Sequence, residues 1–196
     1  TSLKELSKLG VDAVSATGSI QLDLGDSSDA LGALPEFGSV DVTLDVANLD
    51  QLSEVGADAG ALAAAGIDHV QVNLAETGGD GNFNDELTAL LSGDALQLAQ
   101  SELAGVGVTF DTIDLGGAGV DGAVIIGETQ ALELINAGLH FADNDHNVTL
   151  DAAASTHLST SLKELSKLGV DAVSATGSIQ LDLGDSSDAL GALPEF

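Results

Sequence analysis

Without a single cysteine, the sequence excludes disulfides and thiolate metal sites at once. That excludes the small disulfide-stapled class and fits a secreted protein stabilised by repetition or by ions. Arginine is also missing, and the only basic residues are Lys4, Lys8, Lys163 and Lys167, against 32 Asp and Glu. The formal charge is −28. Such a field disfavours nucleic acid and anionic membrane surfaces, which need Lys and Arg, and it favours cations. A merely solubilising acidic surface is the plain alternative to specific cation sites.

Aromatic residues are nearly absent: five Phe, no Trp and no Tyr. The residues that usually anchor recognition surfaces are therefore missing. A core of small aliphatics suits thin, repeated layers better than one large centre. No run is long enough to span a membrane, and no signal-peptide pattern is visible. The chain begins and ends inside a repeat, so neither observation bears on a parent protein.

What the sequence does contain is repetition. Residues 1–37, TSLKELSKLGVDAVSATGSIQLDLGDSSDALGALPEF, recur letter for letter as residues 160–196, an offset of 159. This reads as one tandem period, 1–159, followed by the start of the next copy, 160–196. Duplication by cloning is the alternative, since Thr-Ser, Glu-Phe and Gly-Ser are dipeptides that common restriction sites encode. A smaller pattern favours the natural repeat. Leu6, Leu62, Leu103, Leu134 and Leu165 each stand four residues before a glycine (Gly10, Gly66, Gly107, Gly138, Gly169) that an aliphatic residue follows. That is the signature of a Schellman helix stop leading into a strand. Each period thus holds four helix–strand modules of unequal length.

Local patterns fill in the modules. Ser2-Leu-Lys-Glu5 is a capping box opening a helix over 3–9, with Leu3, Leu6 and Leu9 as its stripe, and 162–168 repeats it. Helices are also expected over 48–65 (broken near Gly56 and Gly60), 85–103 (interrupted at Gly93) and 129–137. Strands are expected twice within 11–24, then at 39–46, 67–74, 108–115, 120–126, 139–142 and 147–152. Residues 25–38 are turn-rich, with a candidate helical turn at 28–33. Helices of two turns cannot bury their stripe alone. The expected architecture is therefore α/β, a solenoid-like stack of short helix–strand units; the alternative is a compact α/β or α+β domain repeated as beads.

The phrases LKELSKLGVDAV (3–14), ALAAAGIDHV (61–70) and QALELINAGLHFADNDHNVTL (130–150) resemble units of giant, low-aromatic repeat proteins of bacteria, especially alphaproteobacteria. These occur with hemolysin-type calcium-binding repeats and type I secretion. The resemblance implies a secreted or cell-surface role in adhesion, sheath or matrix, and carries over no catalytic residue. The calcium nonapeptide itself is missing, and Gly78-Gly79-Asp80-Gly81-Asn82 only touches it.

Two loops could hold a hard cation such as Ca²⁺. Asp80, Asn82, Asn84 and Asp85 offer oxygens near alternate positions, but Leu91 stands where an EF-hand needs its bidentate Glu. The plain alternative is a polar turn capping the next helix through Asn84. Asp143, Asn144, Asp145 and Asn147 form the second candidate, against an Asx-rich turn between two strands. A weaker cluster is Asp23, Asp26 and Asp29 with Ser27 and Ser28. His69, His140, His146 and His157 lack zinc spacing, and solvent-facing strand positions suit them better. Neither a Gly-x-Ser-x-Gly elbow nor a phosphate loop is present; Leu115-Gly-Gly-Ala-Gly119 reads as a turn. The leading expectation is an extracellular structural repeat that is not an enzyme, a fibre, sheath, surface layer or adhesin stalk with calcium as candidate stiffener. Its partners would be further copies of the same repeat. The alternative is a cation- or ligand-binding surface module of an adhesin.

Overall fold

A computed structural model describes residues 2–25, 31, 34–38, 40–74, 83–115, 124–142, 148–152, 157–180 and 182. The chain is mixed α/β with parallel sheets and divides into two compact units, residues 1–73 with 93–112 and residues 74–92 with 113–196.

All five Leu-x-x-x-Gly stops form as the sequence implies. The amide after each glycine donates to the carbonyl of the leucine: Val11 to Leu6, Ile67 to Leu62, Val108 to Leu103, Leu139 to Leu134 and Val170 to Leu165, at 3.0–3.2 Å. The five glycines take φ between 67° and 90°. Only glycine enters that region without a Cβ penalty, so the same chemistry ends a helix and starts a strand five times.

In the first unit, α1 (Leu3–Lys8) opens on its capping box, with Glu5 N donating to Ser2 Oγ and Ser2 N to Glu5 Oε2. After it come β1 (Ala13–Val14), β2 (Ile20–Asp23), β3 (Glu36–Phe37) and β4 (Val42–Val46). Helices α2 (Leu49–Ala57) and α3 (Ala59–Ala65) lead to β5 (His69–Asn73). Asn48 caps α2 by accepting from Gln51 N, and Gln51 Oε1 accepts from Ala47 N in return. The break in this helical run falls at Asp58, between the two glycines expected to cause it. Gly56 instead permits close packing: a β-carbon there would stand 3.1 Å from Ala99 Cα on α5 (Asp94–Val106).

The sheet of this unit runs β2-β4-β5 and continues into β6 (Thr109–Asp114). β2 pairs parallel with β4, Leu22 facing Leu44, and β4 with β5, Leu44 facing Val70. Leu22, Val42, Leu44, Val46, Val70 and Val72 are buried, while Gln21, Thr43 and Gln71 are exposed or half-exposed. That alternation gives a sheet with one apolar face. Each fully buried Leu or Val contributes about 1.5–3 kcal/mol. On the other face Gln21 Nε2 donates to both carboxylate oxygens of Asp45.

The second unit holds α4 (Asn84–Leu91), β7 (Val124–Gly127), α6 (Glu128–Asn136), β8 (His140–Phe141), β9 (Val148–Asp151), α7 (Leu162–Leu168) and β10 (Ala172–Ser174). Its sheet runs β10-β9-β7, every pairing parallel, with Val124 facing Val148, and Leu150 facing Val173. Helix α6 packs on α4 and α7 and against β7 and β9. At the end of β6, Ile113 O accepts from Ala142 N.

Three expectations need correction. Residues 25–38 are not all turn: Glu36–Phe37 is a strand, because Ala13–Val14 pairs with it in parallel. The expected strand over 39–46 begins only at Val42. The stripe Leu3, Leu6, Leu9 is not a buried face: Leu3 is buried, Leu6 half-buried, and Leu9 exposed at 76%. The helical turn expected at 28–33 falls largely outside the described residues. Of the described residues, no helix is long and apolar enough to cross a membrane.

Candidate functional site

Most of the cation-loop residues read from the sequence are not among those the structure describes. Asp80, Asn82, Asp143, Asn144, Asp145 and Asn147 all fall outside the described residues, as do Asp26, Ser27, Ser28, Asp29 and His146. Asn84 is the first residue of α4 and Asp85 stands in its first turn, exposed. The N-cap of that helix is Phe83, fully buried, so Asn84 is not the capping residue. Among the described residues no group of three or more His, Asp or Glu is placed to hold a metal. His69 Nε2 lies 3.3 Å from Asp41 Oδ1, with both side chains about half or more exposed. Together with Gly38, Val40, Gly66 and Asp68 they line an open depression of about 430 Å³.

What the fold builds twice with the same chemistry is a joint between consecutive modules. In the first unit a β-carbon on Gly66 would stand 2.7 Å from the carbonyl oxygen of Phe37, so the helix stop sits directly on the preceding strand. Two residues on, Asp68 N donates to Val42 O at 3.1 Å, and Val42 N donates to Asp68 Oδ2 at 3.1 Å. The second unit repeats this. A β-carbon on Gly169 would stand 3.3 Å from Cβ of Phe141, Asp171 N donates to Val148 O at 2.9 Å, and Val148 N donates to Asp171 Oδ2 at 2.8 Å.

The physical logic is one of backbone accounting. The first amide of a parallel strand needs an acceptor, and a buried one left unpaired is costly. An aspartate two residues after the helix-stop glycine supplies it with a charge-assisted bond. The phenylalanine covers the glycine, which has no side chain of its own. Sequence reasoning missed both partners. Their signal is the recurring tripeptide Gly66-Ile67-Asp68 and Gly169-Val170-Asp171, the same in Gly10-Val11-Asp12, which the glycine spacing alone did not single out.

Further contacts tie the first copy of the duplicated segment to strand β4 and helix α2. Lys4 Nζ lies 2.8 Å from Glu54 Oε1, Gln51 Nε2 donates to Gly25 O at 2.8 Å, and Leu24 N to Asp45 O at 2.9 Å. The arrangement can hold one module against the next; it presents no assembled acid, base and nucleophile among the described residues. Compared with protein families, curated proteins and solved structures, the chain shows no match.

Proposed function

We propose that the chain is a structural repeat of an extracellular or cell-surface array, a fibre, sheath, surface layer or adhesin stalk, built by adding helix–strand modules along one axis. The observation that carries this is the joint itself: Phe–Gly packing plus a strand amide held by an aspartate, used at Gly66 and again at Gly169. A contact that recurs with the repeat can recur indefinitely, which is how a solenoid gains length from little sequence. Spatial order in the second unit supports the stack, since α4, α6 and α7 pack as successive neighbours, with α4 on β7 and α6 on β7 and β9. Its role is mechanical rather than catalytic, with Ca²⁺ bound at the Asp80–Asp85 and Asp143–Asn147 loops as stiffener.

Electron microscopy of the chain in tandem copies tests the reading. Continuous rods lengthening by a fixed step per copy are expected. Separate globules joined by thin linkers would replace the stack with beads.

A further inference from the structure

Helix α5 has two unlike faces. One is buried through Leu96, Ala99 and Leu103, and there Gly56 of α2 comes against Ala99. The opposite face carries Leu98, exposed at 59%, with Ser101, Glu102 and Gly105 also exposed. A glycine inside a helix weakens it relative to alanine, and at Gly56 the close contact it permits offsets that. Gly105 has no such compensation: among the described residues a β-carbon there would meet nothing within 4 Å. Leu98 and Gly105 stand seven residues apart, two helical turns, and so share one side of α5 at a separation of about 10 Å. A knob and a notch at that spacing match each other when a second α5 lies antiparallel. With the two-fold axis passing between Ser101 and Glu102, Leu98 of each copy falls on Gly105 of the other.

Charge selects the same place. From Ala95 to Phe110 the one charged residue is Glu102, in a chain with 32 acidic residues among 196. Two chains of this net charge repel each other, and least where acids are sparse. We therefore infer that the Leu98–Gly105 face of α5 is a docking surface for the same face of a second copy of this chain. The contact is isologous, so it closes as a dimer. It is separate from the end-to-end addition of modules and does not depend on it. In a tandem protein the face recurs once per period, and two arrays joined side by side would gain from the many contacts made at once. The two Glu102 carboxylates lie on the same side of the axis and oppose the pairing, which keeps a single contact weak.

Sedimentation equilibrium of the full chain at about 0.15 M salt, where charges more than about 8 Å apart are largely screened, measures the pairing. The unmodified chain should dimerise, and Glu102→Gln should tighten the dimer several-fold. Leu98→Ala removes the knob and Gly105→Leu fills the notch, so each should weaken the dimer roughly tenfold or more. Combined in one chain, the two changes set a leucine at position 105 opposite an alanine at position 98 and should restore most of the affinity. Circular dichroism checks that every variant keeps its helices. A chain that stays monomeric at the highest concentration reached, even with Glu102→Gln, overturns the proposal. So does a dimer that survives Leu98→Ala or is tightened by Gly105→Leu, since a merely adhesive apolar patch gains from an added leucine.

Discussion

Lys4 Nζ donates to Glu54 Oε2 at 3.0 Å and lies 2.8 Å from Oε1, with the lysine side chain only 3% exposed. The pair links α1 to α2 inside the first unit, and its lysine recurs as Lys163 in the second copy, half-exposed. One residue type in one sequence thus has two burial states, and they should have two energies. Lys4→Ala strands a largely buried carboxylate and should cost about 3 kcal/mol, the lower end for a broken buried pair. Lys163→Ala should cost no more than about 1 kcal/mol. Replacing both partners, Lys4→Met with Glu54→Leu, should recover most of the loss, since desolvation of two charges is then removed as well. Urea unfolding of the four chains measures all of this; equal losses at positions 4 and 163 would mean that the first pair contributes nothing special.

The helix-stop glycines separate in the same way. At Gly66 an alanine meets both a positive φ of 90° and the Phe37 carbonyl oxygen 2.7 Å from its β-carbon. At Gly10 it meets the positive φ alone. Gly10→Ala should therefore cost about 1–2 kcal/mol, the left-handed penalty for a residue with a β-carbon. Gly66→Ala should exceed that by a further 1–3 kcal/mol or so of overpacking, because backbone rather than a pliable side chain is in the way. Thermal melts of the two variants decide the order, and a Gly10 variant as unstable as the Gly66 one would show that the joint is not tight.

How far the sequence carries depends on how local each device is. The five stops and both capping boxes are settled within six residues of chain, and they form where the spacing places them. Strand β3 was illegible because Glu36 and Phe37 are extended only by virtue of Ala13 and Val14, more than twenty residues away. Gly56 likewise owes its place to close packing against Ala99 of α5, which no local rule reveals. Leu9 carries the lesson furthest. It belongs to an apolar stripe in sequence, yet whether the stripe is buried depends on a neighbour, as its buried twin Leu168 demonstrates. Of the joint, the glycines were legible and the aspartates were in plain view, but only pairing geometry gives Asp68 and Asp171 their role.

Acid should loosen the first helix at its start. The carboxyl of Glu5 is held below its usual range, chiefly by the backbone N–H of Ser2, even though it is fully exposed. A carboxyl with a depressed folded value adds stability above its unfolded pKa and loses it as pH falls through the folded one. The capping box should therefore be intact near neutrality and open only under acid conditions below the ordinary glutamate range. The Ser2 amide resonance reports this directly: it should titrate with a midpoint below that of an unstructured glutamate. In Glu5→Gln the acid-dependent movement of that resonance should vanish. A midpoint at the ordinary value would show that the box is not formed in solution.

Cations should stabilise the fold in two separable ways. With a formal charge of −28 the compact state repels itself, and simple salt shortens the range of that repulsion from about 10 Å at 0.1 M to about 3 Å at 1 M. Sodium chloride should therefore raise the melting temperature smoothly, with no saturation at low concentration. Bound Ca²⁺ behaves differently. At one hundred times its Kd a single site adds about 2.7 kcal/mol. For a chain of this size that is a rise of roughly 5–10 °C, saturating and reversed by chelator. The comparison must be made at matched ionic strength. Asp80→Asn and Asp143→Asn should then each remove part of the calcium-specific rise and leave the sodium chloride response unchanged. If calcium and matched sodium chloride give the same curve, the acidic residues act as a charged surface alone, and the stack needs no metal to hold it.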